Sequence, residues 1–198
     1  MKKKIVSVAL AVCLVAIAVT GISLAYFTDK DEKVNTFTVG NVKIELVEPN
    51  WVEPATVVPG VAYAKDPTVN NIGANDAWIR VNVTLSDAEV FKAAAANHQI
   101  TDLATIFAGH DETKWTLAGV SEDEENDTIT YSYYFNTIVA PEGTTGALFT
   151  SVTVPGVFTS AEMSDLGDDF TITITADAIQ AQNFATAVAA FAAFDAQA

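Results

Sequence analysis

Apolar and polar residues alternate along much of this chain at the period-two spacing of half-buried strands. Val42, Ile44 and Leu46 alternate with Lys43 and Glu45. Ile79, Val81, Val83 and Leu85 alternate with Arg80, Asn82 and Thr84, the clearest run in the sequence. That spacing predicts the first set against a core and the second toward solvent or a second layer. Phe37 and Val39 alternate with threonines, and Gly40-Asn41 marks a bend, a bulge or a tight hairpin before the next run. Val61, Tyr63 and Lys65 read as a strand that Pro67 brings to an edge or an end, with a turn over residues 70–76. Residues 128–135 predict a long aromatic strand, hairpinned to residues 115–118 across an acidic loop, 122–127. Residues 147–154 predict one further strand, and Phe170, Ile172, Ile174 and Ala176 the last.

Helical spacing is confined to short stretches. Ser86-Asp87-Ala88-Glu89 and Thr159-Ser160-Ala161-Glu162 both have the serine/threonine-to-glutamate spacing of a capping box. The first opens an alanine-rich helix; Thr101 is placed as the cap of a second one through residue 107. Asn183 is placed as the cap of a final helix whose packing face is Phe184, Val188 and Phe191. Short strands without a β-α-β rhythm predict a mainly β, antiparallel sandwich with short helical insertions and a C-terminal helix.

The front of the chain is different. Lys2, Lys3 and Lys4 precede an apolar run over residues 5–19, and Ser23 and Ala25 supply small residues at −3 and −1 of a cleavage site. This is the order of a secretory signal peptide. We expect residues 1–25 to be the signal, Tyr26 to be the new N-terminus, and 26–198 to be a single domain. An uncleaved anchor is the alternative. The one cysteine, Cys13, lies inside the apolar run, so export would leave no disulfides. The chain carries 25 acidic against 10 basic residues, a formal net charge of −15, and Lys114 is the last basic residue. A nucleic-acid partner is excluded for want of a basic footprint. Anionic lipid is repelled, which limits membrane contact to the uncleaved signal.

Candidate chemistry is sparse. There is no Gly-x-Ser-x-Gly, P-loop or His-Glu-x-x-His, and no catalytic residue is assigned. His98 and His110 with a carboxylate could hold zinc if the fold joined them; lone surface histidines are the other reading. Asp123, Glu125 and Asp127 are calcium candidates, against a solvated hairpin tip, and Asp165, Asp168 and Asp169 around Gly167 form a second such group. Calcium is the one cofactor considered. Trp51, Trp78 and Trp115 with Tyr131, Tyr133 and Tyr134 could line a carbohydrate face or fill the core.

Ala25-Tyr26-Phe27-Thr28-Asp29, followed by Asn35-Thr36-Phe37-Thr38-Val39-Gly40-Asn41-Val42, resembles the start of the TasA/camelysin family. Pro59-Gly60 and Asn70-Asn71-Ile72-Gly73 are similar to its PG…K…xNxG region. The resemblance implies a jelly-roll-like sandwich and a signal served by a SipW-type signal peptidase. It also implies a secreted protein of the biofilm matrix or Gram-positive cell surface. Fibre-forming members donate an N-terminal strand to the next subunit. Here that arm is residues 26–39, with Phe37 and Val39 as the assembly strand, and the expected partner is a second copy or another matrix protein. Camelysins are described as metallopeptidases, an activity no motif in this chain supports. A surface adhesion or carbohydrate-binding domain is the alternative function.

Overall fold

The run at residues 79–85 lies inside the longest sheet of the structure, a computed structural model. The model describes residues 41–52, 56–167 and 170–196. Strand β4 (Ala77–Leu85) pairs antiparallel with β10 (Ile172–Gln180) on one side and β7 (Thr128–Phe135) on the other. Strand β6 (Trp115–Asp123) completes the sheet, in the order β10-β4-β7-β6. A second sheet, β1-β3-β8, joins Ile44–Val47, Thr68–Asn71 and Thr144–Ala147. A third, β2-β9-β5, joins the two-residue strands Tyr63–Ala64, Ser151–Val152 and Phe107–Ala108. Every pairing is antiparallel. The fold is the sandwich-like, mainly β class expected from the alternation.

The core follows the pleat. Ile79, Val81, Val83 and Leu85 are fully buried and meet Ile129, Tyr131, Tyr133 and Trp115 of the same sheet's inner face. Val69, Leu148, Phe149 and Val152 close the cluster from the other sheets. The outer face of β4 is covered as well, by helix α3 (Ala187–Asp195). Trp78, Ala187, Ala190 and Phe191 form a second, smaller core there, and Tyr134 stacks on Phe191 with ring centroids 5.3 Å apart. Arg80 therefore faces a second layer, one of the two positions that its register allowed.

Several expected boundaries move. Pro67 does not end a strand; it precedes one, β3, and Asn70 and Asn71 belong to that strand, not to the turn. Residues 147–154 do not form one strand. The chain crosses between sheets there, and the buried Leu148 and Phe149 occupy the corner between β8 and β9. Thr186, not Asn183, caps α3, accepting from the Ala189 amide, and Val188 is 64% exposed rather than packed. Asp102, not Thr101, caps a short 3-10 turn, Leu103–Ile106. The capping box at Thr159 and Glu162 is present in both directions and opens α2 (Ser160–Leu166). The box expected at Ser86 is absent: Asp87 sits at the N-cap of α1 (Ala88–Asn97) in a left-handed conformation without a side-chain cap bond. The cap comes instead from Asp127, whose carboxylate accepts from the Glu89 amide at 2.9 Å. A residue that occupies the hairpin tip thus stabilises a helix distant in sequence.

Candidate functional site

Asn71 organises the entry to β1. Its side chain is fully buried, so each polar atom needs a partner. Nδ2 donates to the carbonyls of Asn75 (2.8 Å) and Val139 (2.9 Å), and Oδ1 accepts from the Gly73 amide (3.0 Å). Its backbone pairs with Gly143 and Glu142 on the far side. The turn held in this way grips residues 41–43. The Ile72 amide donates to the Lys43 carbonyl at 2.9 Å, and the Ala74 amide to the Asn41 carbonyl at 3.1 Å. A side chain at Gly73 would meet the Lys43 nitrogen at 2.6 Å and the Asn41 carbonyl oxygen at 2.7 Å, so only glycine allows the approach. Asn71 and Gly73 therefore fix the root from which residues 26–39 lead away in sequence.

A second anchor holds the Trp51 loop. Lys65 is 6% exposed, and its ammonium lies 2.8 Å from Glu48 Oε1 and 4.3 Å from the centre of the Trp51 ring. The neighbouring Asp66 carboxylate accepts from both the amide and the side chain of Asn50. Pro59-Gly60 turns beside Pro155-Gly156, and the Gly60 amide donates to Val154. The approach is close enough that a Cβ on Gly60 would lie 3.2 Å from Gly156 Cα.

The calcium candidates are engaged in their own structure. Asp123 accepts from the amides of Glu125 and Asn126 and from the Asn126 side chain, which holds its carboxyl below the usual range. Asp127 caps α1. Of the second group, Asp168 and Asp169 lie outside the described residues. His98 and His110 have separate partners. His98 Nε2 lies 2.9 Å from Glu162 Oε2, and its ring stacks on Phe158; His110 Nδ1 lies 3.2 Å from the Leu148 carbonyl oxygen, and its ring packs on Tyr133. The Thr159 amide, His98 and Asn97 together hold Glu162 down to about 2. Among the described residues, no three His, Cys, Asp or Glu gather where a metal could sit. Of the aromatic candidates, Trp78, Trp115, Tyr131 and Tyr133 are core residues. Burial pushes the phenols of Tyr131 and Tyr133 up to about 12. They line no carbohydrate face.

Ser23, Ala25, Tyr26, Phe37 and Val39 lie outside the described residues. The roles of Asn71, Lys65 and Asp66 were not read from the sequence. A buried Lys-Asp pair after Tyr63 carries no local signal until Glu48 and Asn50 are brought beside it. Asn71 read as a turn residue because asparagine usually is one.

The geometry describes an antiparallel β module with a clamped entry strand. Its motif residues build the clamp and show no metal centre among the described residues. A family model described as camelysin metallo-endopeptidase matches residues 1–109, and the chain belongs to that family. The match spans the clamp, the Lys65 anchor and His98, and ends before His110 and β6. No curated protein matches the chain. The metal that the family description implies finds no fitting set of donors among the described residues.

Proposed function

We propose that this chain is an exported structural protein of the extracellular matrix or cell surface, assembled by donation of residues 26–39 to a neighbouring copy. The observation that carries this reading is the clamp. Asn71 and Gly73 hold Asn41 and Lys43 rigidly, so the donated segment would leave the domain from a fixed point. Signal cleavage at Ala25–Tyr26 would free that segment's end. A donated strand satisfies unpaired backbone groups at an open sheet edge, and repeated head to tail it builds a filament. The acidic surface opposes close approach, so millimolar calcium or lower pH would favour assembly by screening or neutralising carboxylates. The test is negative-stain imaging and light scattering of the purified processed protein. Fibres support the reading; a monomer under every cation and pH condition favours a surface binding domain.

The family description favours a second reading, a metallo-endopeptidase. Casein digestion with and without added zinc tests it. Chelator-sensitive cleavage that disappears in His98→Ala or His110→Ala would establish it.

A further inference from the structure

We propose that β6 is a homotypic docking edge, where a second copy of this chain lays its own β6 antiparallel about a two-fold axis between Ala118 and Gly119. Strand β6 ends the four-stranded sheet and is nine residues long, and only Trp115 in it is buried. Among the described residues, no backbone hydrogen bond joins residues 116–123 to any element except β7. The strand contains no proline and no lysine, two common means of blunting an edge.

A bulge shapes this edge for self-pairing. Leu117 stands opposite Tyr133 and Val120 opposite Tyr131, with a register shift between Leu117 and Gly119. Two residues three apart on a regular strand face opposite sides of the sheet. The bulge brings both to the inward side, where Tyr131 and Tyr133 are buried, yet Leu117 stays 46% and Val120 49% exposed. Outward from the axis, both halves of the strand read small, apolar, hydroxyl: Ala118-Leu117-Thr116 and Gly119-Val120-Ser121. Antiparallel pairing about that axis sets Leu117 opposite the second copy's Val120, on the inward face. It sets Thr116 opposite the second copy's Ser121, on the outward face. Every exposed apolar side chain of the strand then gains an apolar neighbour.

Charge selects the same arrangement. The pairing places Lys114 opposite the second copy's Asp123 at both ends and sends the acidic tips at residues 124–127 to opposite ends. Lys114 is exposed and holds only Asp111 of its own chain, at 3.5 Å. A parallel pairing would set Glu122 and Asp123 against themselves. The contact joins two four-stranded sheets into one of eight strands. It needs nothing from residues 26–39, so it does not rest on the proposed strand donation.

The double variant Thr116→Cys with Ser121→Cys reads the register. Directly opposed residues in an antiparallel pair have Cα atoms about 4.5–5.5 Å apart, within disulfide range. Within one chain the two positions are about 16 Å apart along the strand, which rules out an internal bridge. Under mild oxidation the processed protein should give a disulfide-linked dimer on a non-reducing gel. Neither single variant alone should do so, and a mixture of the two should. Adding Leu117→Lys and Val120→Lys should abolish the link and leave the melting temperature unchanged, because both positions are half exposed. A polymer joined only through the N-terminal segment would give no such link. No link in the double variant, or a link that survives the two lysines, would overturn the proposal.

Discussion

Gly73 and Lys43 approach so closely that a Cβ on the glycine would lie 2.6 Å from the lysine amide nitrogen. The obstacle is backbone, which cannot rotate away. Gly73→Ala should therefore cost about 1–3 kcal/mol, the usual range for forced overpacking. Asn71→Ala should cost at least as much, because it leaves the buried Val139 and Asn75 carbonyls without this donor. Urea denaturation measures both. A neutral Gly73→Ala would mean that the entry to β1 is loosely held.

The two faces of β4 should respond differently. Val81→Ala removes buried methyls and should cost about 1–3 kcal/mol. Thr84→Ala loses one partly buried hydroxyl contact, to Thr130 at 2.8 Å, and should cost about 1 kcal/mol. Arg80 binds Asp177 and Asp195 at 2.9 Å and lies over the Phe191 ring at 4.8 Å. Arg80→Ala should raise hydrogen exchange in α3 before it does so in β4. Equal protection loss in both elements would show that α3 is not a separable layer.

The Lys65–Glu48 pair is buried deeply enough that its halves depend on each other. Lys65→Met alone strands a carboxylate and should cost about 3–5 kcal/mol. Lys65→Met with Glu48→Leu should recover most of that loss. Thermal unfolding of the three variants decides it; a double variant no better than the single would place the cost in the lost Trp51 contact.

Glu162 supplies a pH signature. Its folded-state value of about 2 lies below the ordinary glutamate range, so its contribution is fully present above about pH 4.3 and is lost as pH falls through about 2. The stability advantage of the native chain over Glu162→Gln should shrink across that window. In His98→Ala the Glu162 carboxyl, followed by carbon-13 NMR, should titrate higher, but not at the free value, because the Thr159 amide still holds it. A Glu162 carboxyl that titrates near pH 4.3 in the native protein would contradict the arrangement.

The sheet faces were legible in sequence because a pleat converts alternation directly into burial, as at Ile79, Val81, Val83 and Leu85. The capping box at Thr159 was legible for a similar reason: all its partners lie within four residues. What was not legible depended on distant pairing. Asp127 caps α1 from across 38 positions, and Asn71 is a core residue only because Val139 and Gly143 come beside it. The corner at Leu148 and Phe149 is as apolar as a strand, and periodicity cannot separate the two. The calcium candidates were a reading of charge density, and local turn hydrogen bonds account for Asp123.

The central claim is that residues 26–39 are the assembly element, rooted at the Asn71–Gly73 clamp. Val39→Pro should block pairing by removing a ladder donor. Phe37→Ala should weaken association by about a hundredfold if the ring is buried at the junction, a loss of about 3 kcal/mol. The most direct measurement compares the processed protein with a chain that starts at Gly40, by light scattering and negative-stain imaging in millimolar calcium. The account predicts fibres from the processed protein and none from the shortened chain. Equal polymerisation of the two would contradict it.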